Sequence, residues 1–352
     1  MSILLKTTEV NYYNFTEMKN LKTNFMGIEI DNPIVVGASN LVTKTDNLKK
    51  AEEQGAAAIV YKSLFEEQIQ LEGLQIDEKL AEFNNIYAEM LTIHPKFDYA
   101  GPDEHLLNLR KAKESVTIPL IASLNAVNIE TWVEYAKLIS QTGVDGIELN
   151  FYPNLLDFDR DSDDIENELI RIVKEIKQNI SIPISVKLSS DYTNMLNLIK
   201  RLDKEGANAF VLFNSFFQPD IDIDNEKHIK KYNFSHPGDY KKSLRFAGLL
   251  YQNITADICS SHGIFTGADV IKLILSGASS VQVVSTIYKN GFSQISKMKN
   301  ELEEWMEEKN YNSLDDFRGK LSKNKLVKNP FVYKRAQYVD LLLNAEDIFG
   351  DK

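Results

Sequence analysis

The sequence contains a single cysteine and no long apolar run, and both shortages narrow the possibilities. With Cys259 as its only cysteine, the 352-residue chain cannot form an internal disulfide or hold an iron–sulfur cluster by itself. Residues 1–20 lack the apolar core of a signal peptide, and no stretch approaches the ~20 apolar residues of a membrane span. We therefore expect a cytoplasmic protein that does not associate with membranes.

Basic residues are also in the minority. Lysine and arginine number 40 against 51 aspartates and glutamates, which gives a formal net charge of −11. An acidic balance disfavours nucleic acids and anionic membrane surfaces as partners, because both are bound through basic surfaces. A small anionic ligand needs only local donors, so we expect a small anionic organic substrate as the partner and no nucleic acid.

Eight short apolar runs recur along the chain, and their first residues are of two alternating kinds. Odd-numbered runs begin near a proline or a polar turn, and even-numbered runs begin with Gly followed by Ala or Val. The runs are residues 32–36, 55–60, 118–122, 143–147, 182–186, 206–211, 254–258 and 277–281. Helical spacing of apolar residues is found at 48–54, 132–141, 165–176, 195–204, 268–275 and 295–309.

Strands that alternate with helices run parallel, because each crossover helix returns the chain to the same edge. Eight such units within about 260 residues favour an α/β fold of the (β/α)8 TIM-barrel type over an open doubly wound sheet, which remains the alternative. Long connections predict insertions after strands 2, 4 and 6, at about residues 63–104, 151–164 and 215–240. We expect residues 1–295 to form the barrel with a short N-terminal extension. Residues 296–352 are then a C-terminal helical tail packed on it.

Polar residues follow every apolar run, where the carboxyl ends of the strands should meet. They are Ser39, Asn40, Lys62, Ser123, Asn125, Asn150, Lys187, Asn214, Ser260, Ser261, Ser285 and Thr286. Active sites of (β/α)8 barrels lie at this face. The pattern therefore predicts an active site lined by these side chains.

The segment after the seventh run predicts a phosphate site. Gly263 allows backbone N–H groups to approach an anion, and a helix starting near Ala268 adds the positive end of its dipole. Ser285 and Thr286 bring hydroxyls at the end of the eighth strand, and barrels often bind phosphate after strands 7 and 8. His262 either helps to bind the phosphate or only packs. Cys259 lies inside an apolar run, which favours a buried residue over a nucleophile.

Over residues 22–295 the chain resembles the class 1 dihydroorotate dehydrogenase family of FMN barrels. The motifs that carry the resemblance are residues 27–34, 60–64, 148–150, 185–189, 213–214, 260–270 and 277–286. The resemblance implies an FMN-dependent oxidoreductase of pyrimidine biosynthesis. Such an enzyme converts dihydroorotate to orotate by hydride transfer to flavin N5.

The resemblance also implies residue roles. Ala38 and Ser39 lie against the flavin, and Lys62 faces the substrate side of the ring. Lys187 lies by the N1/O2 edge, where a fixed cation stabilises the negative charge of the reduced ring. The polar residues Asn150, Asn214 and Ser215 contact ring or substrate. The phosphate is held by Ser261, His262, Gly263, Ile264, Ser285 and Thr286. No metal site is implied.

Two segments depart from the family pattern. The family places a Cys or Ser base after the fourth strand, and this chain reads Asn150, Phe151, Tyr152, Pro153. Tyr152 either acts as the base, with Lys62 or Lys187 lowering a pKa that is ordinarily near ~10, or only stacks on the ligand. The family's substrate-binding asparagine segment is not recognisable, which leaves Asn84 and Asn85 as candidates.

These departures keep other functions open. The substrate is either dihydroorotate or another cyclic amide or unsaturated acid. Lys187 as a buried amine also fits a Schiff-base lyase on the same fold, and loss of the base fits a non-catalytic flavin binder. A homodimer is expected. The electron acceptor, and whether a partner subunit carries an iron–sulfur cluster, stay open.

Overall fold

The computed structural model describes residues 19–67, 102–152, 157–214, 220–229, 234–326, 333–334 and 342–343. Eight parallel strands form its central sheet. They are β1 (Ile34–Val36), β2 (Ala58–Val60), β3 (Leu120–Asn125), β4 (Gly146–Asn150), β5 (Ile184–Leu188), β6 (Ala209–Leu212), β7 (Asp257–Ser261) and β8 (Ser280–Val283). Because β1 pairs with β2 on one side and with β8 on the other, the sheet closes. The predicted (β/α)8 barrel is confirmed.

Each strand is followed along the chain by a helix of the same number. These are α1 (Thr45–Glu53), α2 (Asp103–Ser115), α3 (Ile129–Ser140), α4 (Ser162–Asn179), α5 (Met195–Lys204), α6 (Lys241–Leu250), α7 (Gly267–Ser276) and α8 (Ser285–Asn290). A ninth helix, α9 (Ser293–Glu308), packs on α7. None of the helices within the described ranges is long and apolar enough to cross a membrane.

Short elements lie outside the barrel wall. An N-terminal hairpin (Thr23–Phe25 and Ile28–Ile30) precedes β1, and a second hairpin (Asp220–Asp222 and Lys227–Ile229) lies in the long connection after β6. The strand Leu64–Phe65 pairs with the end of β3, and the 3-10 helices are Asn40–Thr43 and Leu314–Asp316. The division of the chain at residue 295 stays a prediction, and α9 spans that position.

The alternation of side chains along the strands separates two apolar cores. Ile34 and Val36 of β1 point outward into the core between the strands and the helices, whereas Val35 points inward. The inner core also contains Cys259, whose predicted burial is confirmed. Phe25 and Met26 of the N-terminal hairpin belong to the same inner core. The hairpin therefore closes the amino-terminal end of the barrel, and the opposite end stays free for a site.

Acidic side chains from neighbouring segments accept hydrogen bonds from the backbone just before strands β3 and β7. The Asp203 carboxylate, at the end of α5, accepts hydrogen bonds from the N–H groups of Thr255 (3.1 Å) and Ala256 (2.8 Å) and from the Thr255 hydroxyl (2.9 Å). The Glu52 carboxylate accepts in the same way from Thr117 and Ile118 before β3. Burial raises the pKa of Glu52, but these hydrogen bonds outweigh it and lower the pKa overall.

We expect Asp203→Ala to lower the free energy of unfolding by about 1–3 kcal/mol, because three donors before β7 lose their acceptor. Urea denaturation followed by circular dichroism measures the change. Asp224→Ala, at an exposed position in the second hairpin, serves as the control and should leave the midpoint unchanged. Equal midpoints for Asp203→Ala and the unchanged protein would show that these contacts do not stabilise the fold.

Candidate functional site

A cavity of about 340 Å³ opens at the carboxyl ends of the barrel strands. It brings together most of the site residues predicted from the sequence. Those that line it are Ala38, Ser39, Asn40, Lys62, Asn150, Lys187, Asn214, Ser261, His262, Gly263, Ile264 and Ser285. Thr286 is 1% exposed and lies behind this lining. Asn84, Asn85 and Ser215 lie outside the described residues.

The loop after β7 has a backbone that requires glycine. His262 and Gly263 have φ angles of 77° and 70°, in the left-handed region. A Cβ atom on Gly263 would come within 2.6 Å of Asp239 Cβ and 2.7 Å of the His236 carbonyl oxygen. Burial lowers the pKa of His262, although the nearby Asp239 carboxylate opposes this shift. The tight turn leaves the N–H groups of Gly263 and Ile264 without a hydrogen-bond acceptor among the described residues.

The start of α8 contributes backbone donors to the same region. β8 ends at Val283, so Ser285 and Thr286 lie in the first turn of α8 rather than on the strand. The Ser285 hydroxyl accepts from the Ser235 N–H (3.1 Å), and the Thr286 hydroxyl accepts from the Asn290 amide (3.3 Å). The backbone N–H groups of Ser285 and Thr286 have no acceptor within the part of the chain that is described. Backbone donors from two loops therefore fit an anion such as a phosphate.

The predicted contribution of α7 to the phosphate site is wrong. The N–H groups of Phe265 and Thr266 both donate to the Asp269 carboxylate, at 3.0 and 3.1 Å. The Gly267 N–H donates to Glu301 of α9 at 2.5 Å. Because two carboxylates already satisfy the donors at this end of α7, they offset its positive dipole. The backbone donors that fit an anion lie in the β7–α7 loop and at the start of α8.

Three inward-facing side chains lie at and beneath the floor of the cavity. The Lys187 Nζ atom is 3.2 Å from Gln282 Oε1 and 3.4 Å from Glu148 Oε1. Gln282 Nε2 in turn donates to Glu148 Oε2. Lys187 and Gln282 line the cavity, whereas Glu148 is fully buried. The predicted cation is therefore present at the floor of the cavity, and a buried carboxylate compensates its charge.

Two further predicted residues contact each other. The Asn214 amide donates to Asn150 Oδ1 at 2.7 Å, which fixes both side chains at the edge of the cavity. Ser39 lines the cavity, and its hydroxyl is buried without a hydrogen-bond partner in the part of the chain that the structure describes. An orphaned buried hydroxyl costs free energy unless a bound group satisfies it. The site is therefore suited to a polar ligand beside Ser39.

Tyr152 occupies a different position from the other predicted catalytic residues. It directly follows β4, is 48% exposed and is not among the described residues that line the cavity. Its neighbour Phe151 is buried against Trp132, with ring centroids 4.9 Å apart. The catalytic role of Tyr152 stays a prediction.

The sequence did not reveal several residues of the site. Phe234 and Tyr288 both line the cavity, with ring centroids 5.1 Å apart. Phe234 lies in the long connection after β6, where no periodic pattern identifies inward-facing positions. The inward orientation of Gln282 could have been predicted from the sequence. It is two residues after Ser280 on β8, and side chains at this spacing on a strand face the same side, here the barrel interior.

The fold and the site together define a (β/α)8 barrel with a polar cavity at the carboxyl ends of its strands, where backbone donors fit an anion. Residues 96–306 match the family model described as dihydroorotate dehydrogenase. This match covers more than half of the chain, and the protein belongs to that family of oxidoreductases that act on CH–CH bonds.

Curated relatives carry one shared name, "Dihydroorotate dehydrogenase B (NAD(+)), catalytic subunit". The protein of Thermoplasma volcanium is 27% identical over 318 residues, which cover 86% of this chain and 98% of the relative. The protein of Methanocaldococcus jannaschii is 27% identical over 302 residues, with 82% and 94% covered. For Pyrococcus furiosus the identity is 24% over 305 residues, with 85% and 98% covered.

We expect Gly263→Ala to weaken binding of FMN by at least about tenfold, since the added Cβ collides with Asp239 and reshapes the anion loop. Riboflavin lacks the phosphate and should bind the variant and the unchanged protein alike. Fluorescence titration measures both affinities. Gly291→Ala is the matched control, because Gly291 also has a positive φ angle (79°) but nothing lies within 4 Å of its Cβ position. An equal loss for FMN and riboflavin would contradict a phosphate contact at this loop.

Proposed function

We propose that the protein binds FMN in the barrel-mouth cavity and oxidises dihydroorotate to orotate. One observation carries the proposal: a single cavity combines the ammonium of Lys187 with backbone N–H groups, at the β7–α7 loop and the start of α8, that have no acceptor among the described residues. The N–H groups of Gly263, Ile264, Ser285 and Thr286 would hold the phosphate. Ser39 would donate to the ring, and Lys187 would lie by its N1/O2 edge. FMN, when bound, supplies a ring that accepts a hydride equivalent at N5.

The remaining residues would act on the substrate. Lys62 would attract the substrate carboxylate, and Asn150 and Asn214 would orient the cyclic amide through their remaining donors and acceptors. Oxidation removes a hydride from one carbon and a proton from its neighbour, so a proton acceptor is required. We assign that role to Tyr152, which directly follows β4 as the family's base does. A lyase that uses Lys187 as nucleophile is disfavoured, because the amine contacts both Glu148 and Gln282.

The route of the electrons is proposed from the relatives' names alone. Those names specify NAD(+) and a catalytic subunit. Since a lone cysteine cannot hold an iron–sulfur cluster, we propose that any such cluster belongs to a second subunit. From the sequence we also propose that the chain forms a homodimer and that it is located in the cytoplasm.

The proposal is tested by adding dihydroorotate to the purified protein without oxygen. We expect a yellow protein whose flavin absorption bleaches, and a rate about a hundredfold lower for Lys187→Met, because a charge-stabilising contact is lost. Tyr152→Phe should slow bleaching by a similar factor without changing FMN affinity. Lys299→Met, on the outer helix α9, is the lysine control and should react normally.

Three results would contradict parts of the proposal. A colourless protein that does not take up FMN would refute the cofactor. Flavin that is bleached by another donor and not by dihydroorotate would refute the substrate. Normal bleaching by Tyr152→Phe would refute the assigned proton acceptor.

A further inference from the structure

The ring of contacts between Glu148, Lys187 and Gln282 connects three strands across the interior of the barrel. Glu148 lies on β4, Lys187 on β5 and Gln282 on β8, and their exposures are 0%, 9% and 2%. Each side chain contacts the other two. The apolar inner core, with Val35, Ile121, Val211 and Cys259, belongs to the same interior. The ring therefore separates an apolar interior from the polar cavity.

The ring contains one formal positive and one formal negative charge. Burial of an ammonium or a carboxylate costs free energy, and a partner of opposite charge offsets that cost. Among the described residues, Glu148 is the carboxylate within 4.0 Å of the Lys187 ammonium. Cys259 is close to both groups, but burial raises the pKa of its thiol to about 12, so it stays neutral. Glu148 therefore provides the compensating charge.

The orientation of the Gln282 amide follows from its two neighbours. An ammonium only donates hydrogen bonds and a carboxylate only accepts them. The amide N–H must therefore face Glu148, and the carbonyl oxygen must face Lys187, as the contacts show. Gln282 thus fixes the position of the lysine Nζ atom and links it to the carboxylate by a second route.

We propose that Glu148 and Gln282 are positioning residues that hold the Nζ atom of Lys187 at the cavity floor, and that Glu148, by compensating the lysine charge, sets the reduction potential of the bound flavin. The inference rests on the proposed function, since it requires FMN in this cavity. Reduction adds negative charge to the ring, and a nearby cation favours that change. A carboxylate that already compensates the cation weakens this effect.

Removal of the Glu148 charge should therefore make the flavin easier to reduce. In Glu148→Gln at pH 6 we expect the equilibrium constant for two-electron reduction of the flavin to rise roughly tenfold. This rise corresponds to a reduction potential that is about 30 mV more positive. Reduction by xanthine oxidase in the presence of a reference dye measures the potential. Glu148→Asp keeps the charge and should stay close to the unchanged protein.

Lys187→Met provides the decisive background. If Glu148 acts through Lys187, adding Glu148→Gln to Lys187→Met should not change the potential further. The same shift in both backgrounds would overturn the inference. A reduction potential that shifts as much in Glu148→Asp as in Glu148→Gln would also overturn it. That result would mean that altered packing, and not loss of the carboxylate charge, changes the potential.

The remaining outcomes also decide the question. If Glu148→Gln alone does not fold but the double variant does, the unpaired buried ammonium is responsible and the coupling is supported. If neither folds, the coupling is contradicted. Bound flavin with an unchanged potential in Glu148→Gln overturns this inference alone, whereas absence of flavin from the unchanged protein overturns the proposed function and the inference with it.

Discussion

The ammonium of Lys187 lies inside a closed barrel, where the Glu148 carboxylate compensates its charge and the Gln282 carbonyl oxygen accepts a hydrogen bond from it. This arrangement depends on closure. β4 and β5 are neighbours, but β8 faces them from across the interior, so the three side chains meet only when β1 pairs with both β2 and β8. The floor of the cavity is thus a direct consequence of the sheet topology. An open sheet with the same strands would not bring Gln282 to Lys187.

The part of the cavity that is lined by the β7–α7 loop and the start of α8 depends on a different constraint. There the donors are backbone N–H groups rather than side chains. The β7–α7 loop turns through two residues with positive φ, and the start of α8 leaves its first N–H groups free of partners among the described residues. Asp269 and Glu301 satisfy the nearby end of α7. The donors without an acceptor among the described residues therefore lie at the β7–α7 loop and the start of α8, and not at the start of α7.

Much of the barrel was predictable because its strands and helices have strong periodic patterns. The predicted helix at 195–204 is observed with the same bounds, and every apolar run contains or overlaps a strand. The run at 254–258 overlaps only the first two residues of β7, because the chain before Asp257 is held by Asp203 and not by strand pairing. Helices α2, α6 and α8 were not predicted. Helices α2 and α6 each follow a long connection that obscures where the helical pattern starts, and the first residues of α8 were expected at the end of the eighth strand.

The site was predictable where it lies on strands and less so elsewhere. Lys62, Lys187 and Asn150 follow from polarity at strand ends, and the structure brings them to one cavity. The role of α7 was misjudged because Glu301 lies 34 residues beyond Gly267, and no local pattern reveals that contact. Tyr152 lies where the chain departs from the family motif. The motif therefore could not predict that this residue lies outside the cavity lining.

We propose that FMN binds with its phosphate on the β7–α7 loop and the start of α8 and with its ring edge against Lys187. A crystal structure of the flavin-loaded protein is the decisive measurement. We expect phosphate oxygens within hydrogen-bond distance of the N–H groups of Gly263, Ile264, Ser285 and Thr286, and the N1/O2 edge beside Lys187 Nζ. A phosphate bound elsewhere, or a ring whose opposite edge faces Lys187, would contradict it.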